Sequence, residues 1–210
     1  MFWVALFTAY LLGSLPFAVW ISKWFYHQDI RTMGSGNAGS TNMYRNFGFI
    51  AGFTTQILDI LKSYVATLLP FIFTLDPRFQ STSFLLLFGA ISVIGHVYPI
   101  FAGFRGGKGV NSILGMMLAI APVYTFLCLI VFILVLWIWE YVSLGSILAT
   151  FSFLIFQVIG YVIYKTLDIV LLIAGSLLFL FIVYTHRENI QRIRKGTESK
   201  ASFIQKLKRK

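Results

Sequence analysis

The sequence predicts an all-α, polytopic integral membrane protein, and three observations carry that prediction. Of 210 residues, 58% are apolar and only 11% charged; a soluble domain carries about 25% charged residues. The apolar residues fall into successive long runs, as bilayer-crossing segments require. The single cysteine, Cys128, lies inside one of these runs, which excludes a disulfide framework and a cysteine-rich zinc site. An ordinary cytosolic globule, a disordered chain and a collagen-like repeat are excluded by the same figures.

The first element is apolar from Phe2 to Ile21, and the first cation is Lys23. With no basic stretch ahead of it, this segment reads as a retained span and not a signal peptide. Further apolar runs follow at 49–74, 82–101, 110–121, 123–139, 142–164 and 168–185. Crossing the hydrocarbon takes about 20 helical residues at 1.5 Å each. Runs 49–74, 82–101 and 142–164 are long enough, 110–121 is too short, and 123–139 and 168–185 are marginal. Pro122 separates two of the shorter pieces, because proline lacks a backbone donor and restricts its predecessor.

Parity decides whether 110–139 is one crossing or a pair. Counted as a pair, it puts Lys23, Arg31 and Arg45, then Arg105 and Lys108, and the basic C-terminus on one side, as the positive-inside rule favours. The prediction is seven transmembrane or partly spanning helices, N-terminus outside and C-terminus cytoplasmic. Residues 1–198 form one integral membrane domain. Residues 199–210 form a basic cytoplasmic tail, either a short surface helix or disordered. Arg187 to Lys210 holds nine Lys/Arg and two Glu, +7 of the net +10. Beside a membrane body this reads as an anchor facing anionic lipid and not as a nucleic-acid arm.

Four segments depart from lipid chemistry, all on the predicted cytoplasmic side. The first is Gly34-Ser35-Gly36-Asn37-Ala38-Gly39-Ser40-Thr41-Asn42, followed by Arg45. Its glycines allow backbone N–H groups to converge into an anion-binding nest, and Arg45 adds a phosphate-binding fork. The plainer alternative is a polar turn. The second runs from Gly95-His96 to Arg105-Gly106-Gly107-Lys108-Gly109. Here bare backbone donors and a lysine precede a helix N-terminus, a natural phosphate position. His96 is either a ligand or base, or a packed histidine bonded to a carbonyl. The third is Tyr141-Val142-Ser143-Leu144-Gly145-Ser146, where Ser143 either N-caps the next helix or binds substrate. The fourth is His186-Arg187-Glu188-Asn189, ending at Gly196-Thr197-Glu198. His186 and Asn189 share a helix face, and His186 at the membrane edge suits proton transfer. Asp59 and Lys62, at i and i+3 inside an apolar run, read first as an ion pair and second as site-orienting groups.

No His-Glu-x-x-His pattern, serine elbow or His-x-x-x-x-Asp occurs, so no metal or cofactor is implied. The residues alone reach membrane-bound chemistry on, or transport of, phosphate-bearing molecules. Three long motifs go further. GlySerGlyAsnAlaGlySerThrAsn, GlyHisValTyrProIlePheAlaGlyPheArgGlyGlyLysGlyVal and HisArgGluAsnIleGlnArgIleArgLysGlyThrGlu resemble the signature loops of the bacterial integral-membrane glycerol-3-phosphate acyltransferases that use acyl phosphate as donor. The resemblance spans residues 1 to about 198 in order and spacing.

It implies acyl transfer from acyl phosphate to the 1-hydroxyl of glycerol 3-phosphate, giving lysophosphatidate and phosphate, the first step of phospholipid synthesis. It also implies seven helices and independence from acyl-CoA and acyl carrier protein. No cofactor and no nucleic-acid partner are expected, and an enzyme supplying acyl phosphate is a possible partner. On this reading Ser35, Gly36, Asn37, Gly39, Thr41 and Asn42 bind the acyl-phosphate headgroup. Gly106 and Gly107 line the second phosphate loop. Arg45, Lys108, His186 and Asn189 hold glycerol 3-phosphate, and Ser143 stands beside them. Ser35, Lys108, His186 and Asn189 are the expected catalytic residues. Either a substrate phosphate or His186 takes the hydroxyl proton. A transporter or flippase for a phosphorylated solute is the rival explanation of the spans and anion loops.

Overall fold

The computed structural model describes residues 1–201; most of the predicted tail lies outside the described residues. Ten α-helices are described and no strand. In order they are α1 (Phe2–Gly13), α2 (Phe17–Tyr26), α3 (Ser40–Thr67), α4 (Leu69–Ile72), α5 (Thr82–Val97), α6 (Val110–Ile120), α7 (Pro122–Trp139), α8 (Val142–Tyr164), α9 (Ile169–Thr185) and α10 (Arg187–Arg194). The chain divides into two compact units, Met1–Ile120 and the part from Ala121 on. The boundary falls where Pro122 was expected to break the 110–139 stretch.

Among the described residues, three helical segments are each long and apolar enough to cross a bilayer alone: Thr82–Ala102, Pro122–Trp139 and Val142–Tyr164. Bent pairs raise the number of spans to as many as five, with Val110–Ile120 as a shorter apolar helix. The expected first span, Phe2 to Ile21, is therefore not one helix. It breaks before Pro16 into α1 and α2, bent by 42°, because proline has no N–H to donate to the preceding turn and its ring crowds that turn and the residue before it. Likewise α9 and α10 meet at a 58° bend at His186.

The expected span at 49–74 also differs. α3 starts nine residues earlier and turns at Gly48, whose φ of 86° is the left-handed region that glycine tolerates. It is long enough to cross, but Thr54, Thr55, Gln56, Asp59 and Lys62 dilute its apolar content. Thr54 is exposed and Gln56 half-buried, but most of the polar groups of this helix are used inward. Thr55, Asp59, Lys62, Ser63 and Thr67 are all buried and recur at helical spacing, while Ile57, Leu61 and Val65 point outward. The Ser63 hydroxyl bonds that of Ser92 on α5 at 2.9 Å. With no water to expel between lipid-bathed helices, contact depends on close backbone approach and internal hydrogen bonds. At Gly115 a side chain would collide with the Ile60 carbonyl, so α6 lies directly on α3.

Within the first unit, α3 packs on α1, α2, α5 and α6, and α1 on α5. Two small apolar cores mark its ends. Ala5, Ala9, Ala66, Leu69, Leu75 and Phe88 gather where α3 ends and α5 begins, near the turn at Asp76–Arg78. Ala18, Val19, Ile30, Ala38, Met43 and Ala102 gather at the other end. That second core is the floor on which the loop before α3 and the loop after α5 both sit. In the second unit α8 packs between α7 and α9, and α10 turns back against α8 and α9.

Candidate active site

In the first unit, the two glycine loops predicted from sequence come together. Each precedes a helix, and the two helix N-termini are joined side by side: the Asn111 amide near the start of α6 donates to the Ser40 hydroxyl at the start of α3 at 2.9 Å. The first N–H groups of both helices lack intrahelical acceptors, and both macrodipoles put positive charge at these ends. Arg45 and Lys108, both half-buried, follow in the same two segments. Ser35 and Gly36 are exposed, Asn37, Gly39 and Thr41 half-buried.

Asn42 has a different position from its neighbours. It is buried, and its amide nitrogen lies 3.0–3.1 Å from the carbonyls of Ile30, Met33 and Asn37. Its oxygen accepts from the Ser35 N–H and from Asn46. Asn42 shapes the first loop from inside. Gly106 and Gly107 also differ from expectation. Their N–H groups are not bare: they donate to the carbonyls of Val97 and His96, each at 3.2 Å. The last carbonyls of a helix lack intrahelical donors, and the loop amides fill that need for α5. What these glycines contribute is room. A Cβ on Gly106 would strike the His96 carbonyl, and one on Gly107 the His96 ring.

A strut fixes the two loops relative to each other. Arg31 grips both carboxylate oxygens of Asp29, through Nε at 3.0 Å and Nη2 at 2.7 Å, and donates from Nη1 to the Ala102 carbonyl at 2.7 Å. The Arg31 guanidinium holds the Asp29 carboxyl well below the usual carboxylate range. A lowered carboxyl contributes stability that is complete above its unfolded value of about 4 and is lost as pH falls below it. Lys23 and the main-chain N–H of Arg31 also touch this carboxylate, so Arg31→Ala is expected to reduce this acid-side dependence in a pH series of thermal unfolding. It is also expected to lower turnover about tenfold, because the loops lose a charge-assisted bond of about 1.5–3 kcal/mol. An unchanged acid limb together with wild-type turnover would contradict the strut.

In the second unit, Glu198 organises the predicted residues. Its Oε1 accepts from the Asn189 amide at 2.7 Å and the Ser143 hydroxyl at 3.1 Å, and its Oε2 accepts from Arg192 Nε at 2.7 Å. Burial pushes this carboxyl up, but the bonds from Asn189, Arg192 and Ser143 outweigh that and leave it below its ordinary value. Ser143 does not N-cap α8; Tyr141 occupies the cap position, and the serine hydroxyl goes to Glu198. Sequence reasoning assigned Glu198 no role. The available signal was its isolation as an acid in a basic segment, two residues beyond Gly196. Gly196 adopts φ +69°, and the Thr197 N–H bonds back to the Arg192 carbonyl at 2.8 Å. This glycine-terminated helix end returns the chain over α10.

His186 is buried at the α9–α10 bend, with Nδ1 2.9 Å from the Ile182 carbonyl. A carbonyl only accepts, so in the neutral ring Nδ1 carries the hydrogen and Nε2 is the basic nitrogen. Asn189, one turn on, is buried as well, and Glu198 fixes which way round its amide sits. The described residues contain no group of three or more His, Cys, Asp or Glu side chains placed to hold a metal ion.

Comparisons with known proteins identify the family. The family model for glycerol-3-phosphate acyltransferase matches residues 3–196. A glycerol-3-phosphate acyltransferase of Listeria welshimeri is 46% identical over 197 residues, covering 93% of this chain and 94% of the relative. One from Enterococcus faecalis is 43% identical over 214 residues, covering 99% and 96%. The crystal structure of PlsY (YgiH), an integral membrane glycerol 3-phosphate acyltransferase, in its glycerol 3-phosphate form superposes with a TM-score of 0.81 at 35% identity, covering 94% of each chain. Its lysophosphatidic acid form gives 0.78 at 34% identity, covering 94% of this chain and 93% of that one. With its full run of helices matched and both glycine loops inside the matched region, the chain belongs to the glycerol-3-phosphate acyltransferase family of integral membrane proteins.

Proposed function

We propose that this chain moves a fatty acyl group from acyl phosphate to the 1-hydroxyl of glycerol 3-phosphate, giving lysophosphatidate and inorganic phosphate. The observation that carries the proposal is the joined pair of helix N-termini, α3 and α6, each behind a glycine loop and each accompanied by a cation. Both reactants carry a phosphate, and such ends are suited to phosphate. Family membership supports glycerol 3-phosphate as acceptor and sets a transferase above the rival transporter.

The reaction needs little covalent work from the protein. Acyl phosphate is a mixed anhydride with a good leaving group. The glycerol oxygen forms a bond to the acyl carbon, the acyl carbon–phosphate oxygen bond breaks, and the hydroxyl proton leaves with the departing phosphate. The tasks left to the protein are holding, aligning and stabilising charge. In this proposal the exposed edge of the first loop, Ser35 to Thr41, receives the acyl-phosphate headgroup, and Asn42 keeps that loop in shape. Arg45, Lys108, His186 and Asn189 bind glycerol 3-phosphate. Gly106 and Gly107 let Lys108 approach it, and Ser143 acts by helping Glu198 hold Asn189. The site faces the cytoplasm of a bacterial cell (inner) membrane, with the N-terminus outside. Residues 1–198 act as one catalytic membrane domain, and the basic tail meets anionic lipid. Another enzyme supplies the acyl phosphate.

The test uses the full chain purified in detergent. Acyl phosphate with glycerol 3-phosphate is expected to release inorganic phosphate and lysophosphatidate without any vesicle, and acyl-CoA to release neither. Failure to turn over acyl phosphate, or equal use of acyl-CoA, overturns the donor assignment. Arg45→Ala is expected to raise the KM for glycerol 3-phosphate and to lower kcat. His186→Ala is expected to act mainly on KM, because the departing phosphate takes the proton. A kcat loss of about a hundredfold at saturating substrate, the usual contribution of a general base, would instead make His186 the base.

A further inference from the structure

The first unit contains a buried ionic cluster that the proposed chemistry does not use. Asp59 Oδ1 lies 2.7 Å from Lys62 Nζ and 3.5 Å from His96 Nδ1. Lys62 also donates to the Leu15 carbonyl at 2.7 Å, at the break between α1 and α2. All three side chains are at least nine-tenths buried. Ionisable groups this deep in a membrane domain are costly, and they recur where they serve a site. A packed apolar pair would be at least as stable as a buried ion pair, so stability alone does not account for the cluster.

The position of His96 suggests what the cluster does. His96 meets the second glycine loop twice. Its carbonyl accepts the Gly107 N–H at 3.2 Å, and its ring Nε2 faces Gly107 so closely that no Cβ fits between them. Asp59 stands at the far side of the same ring. A carboxylate facing Nδ1 keeps the hydrogen on that nitrogen and fixes the plane of the imidazole. The next residue after Gly107 is Lys108. A continuous line of contacts therefore runs from Asp59 through the His96 ring to Gly107 and the loop that carries the lysine.

We propose that Asp59, acting through His96, is a positioning residue for Lys108, holding the second glycine loop in the register in which the lysine meets the phosphate of glycerol 3-phosphate. The proposal rests on the phosphate-binding assignment of Lys108 made above. Binding groups must be held within about 0.5 Å of their working geometry by a second layer of contacts. In this fold the layer is built from buried charge, because a ring held between a carboxylate on one side and a close main-chain segment on the other has little freedom to turn.

Two variants test it in full-length purified protein. His96→Asn removes the ring atom that abuts Gly107. Asp59→Asn with Lys62→Met removes the ionic partners together and leaves no buried charge behind. Both are expected to raise the KM for glycerol 3-phosphate about tenfold, with the KM for acyl phosphate nearly unchanged, and the effect is expected to disappear when Lys108→Ala is already present. A general packing defect would move both KM values, and would add to Lys108→Ala instead of vanishing into it. If either variant fails to fold, the other provides the same reading. A folded variant with a wild-type KM, or a penalty that is the same with and without Lys108, overturns the inference. If Lys108→Ala itself leaves the KM for glycerol 3-phosphate unchanged, the assignment of Lys108 fails instead, and the two failures are distinguished.

Discussion

Glu198→Ala is expected to be among the most damaging single substitutions in this chain. It removes the acceptor for the Asn189 amide, the Ser143 hydroxyl and Arg192 Nε in one step. Two of those donors, on Asn189 and Ser143, belong to buried residues, and a hydrogen bond to a charged group contributes about 1.5–3 kcal/mol. The folded protein is expected to lose about 2–4 kcal/mol of stability on that account, read as a lower thermal midpoint in detergent. Turnover is expected to fall roughly a hundredfold, because Asn189 is no longer held one way round and small misplacements carry penalties of that size. Glu198→Gln is the sharper version. Its oxygen still accepts from Asn189, but its amide nitrogen meets Arg192 Nε donor to donor. It should fall between wild type and alanine. Because the carboxyl is lowered, its contribution is complete above the ordinary glutamate value of about 4.3 and is lost as pH falls below it. The wild-type midpoint should therefore drop on the acid side in a way that Glu198→Ala no longer shows. A glutamine variant with wild-type midpoint and rate would remove Glu198 from the centre of this arrangement.

Gly107→Ala is expected to give the second large effect, with a different signature. The added methyl has no space, because His96 Nε2 occupies it and Asp59 pins the ring. The loop must yield, and Lys108 moves with it. The KM for glycerol 3-phosphate is expected to rise about tenfold, with the thermal midpoint lowered by the usual 1–3 kcal/mol equivalent of overpacking. Gly106→Ala should be worse in folding, since there the obstruction is the main-chain carbonyl of His96, which has no rotamer to change. Equal KM values for wild type and Gly107→Ala would show that the loop has slack where the structure shows none.

Both predictions depend on residues whose importance could be read only partly from sequence. Helix content, the membrane class and the break at Pro122 were legible because lipid imposes a crude, one-dimensional demand: enough consecutive apolar residues, internally bonded. The glycine loops were legible as loops because runs of Gly, Ser and Asn interrupt the apolar segments, but that the Gly106 and Gly107 N–H groups are used on α5 was not. The bend at Pro16 and the extension of α3 back to Ser40 were not. A long apolar run does not state where its helix turns, and the small polar residues from Ser40 to Asn42 suit a loop or a helix start equally. The Asp59–Lys62 pairing was legible from i, i+3 spacing, but the contact of Asp59 with His96, 37 residues further on, was not.

The sequence by itself determined that this protein is a helical membrane protein with two glycine-rich loops between its apolar runs, and the pattern of its motifs pointed to its family. Only the tertiary structure decided how those residues divide their work. Asn42 is turned inward, Gly106 and Gly107 spend their N–H groups on α5 and contribute space, and Glu198, unassigned in the sequence reading, holds Asn189 and Ser143. The physical reason is that a residue type specifies which hydrogen bonds a side chain can make. Which of them it does make depends on which donors and acceptors the packed helices leave unsatisfied beside it.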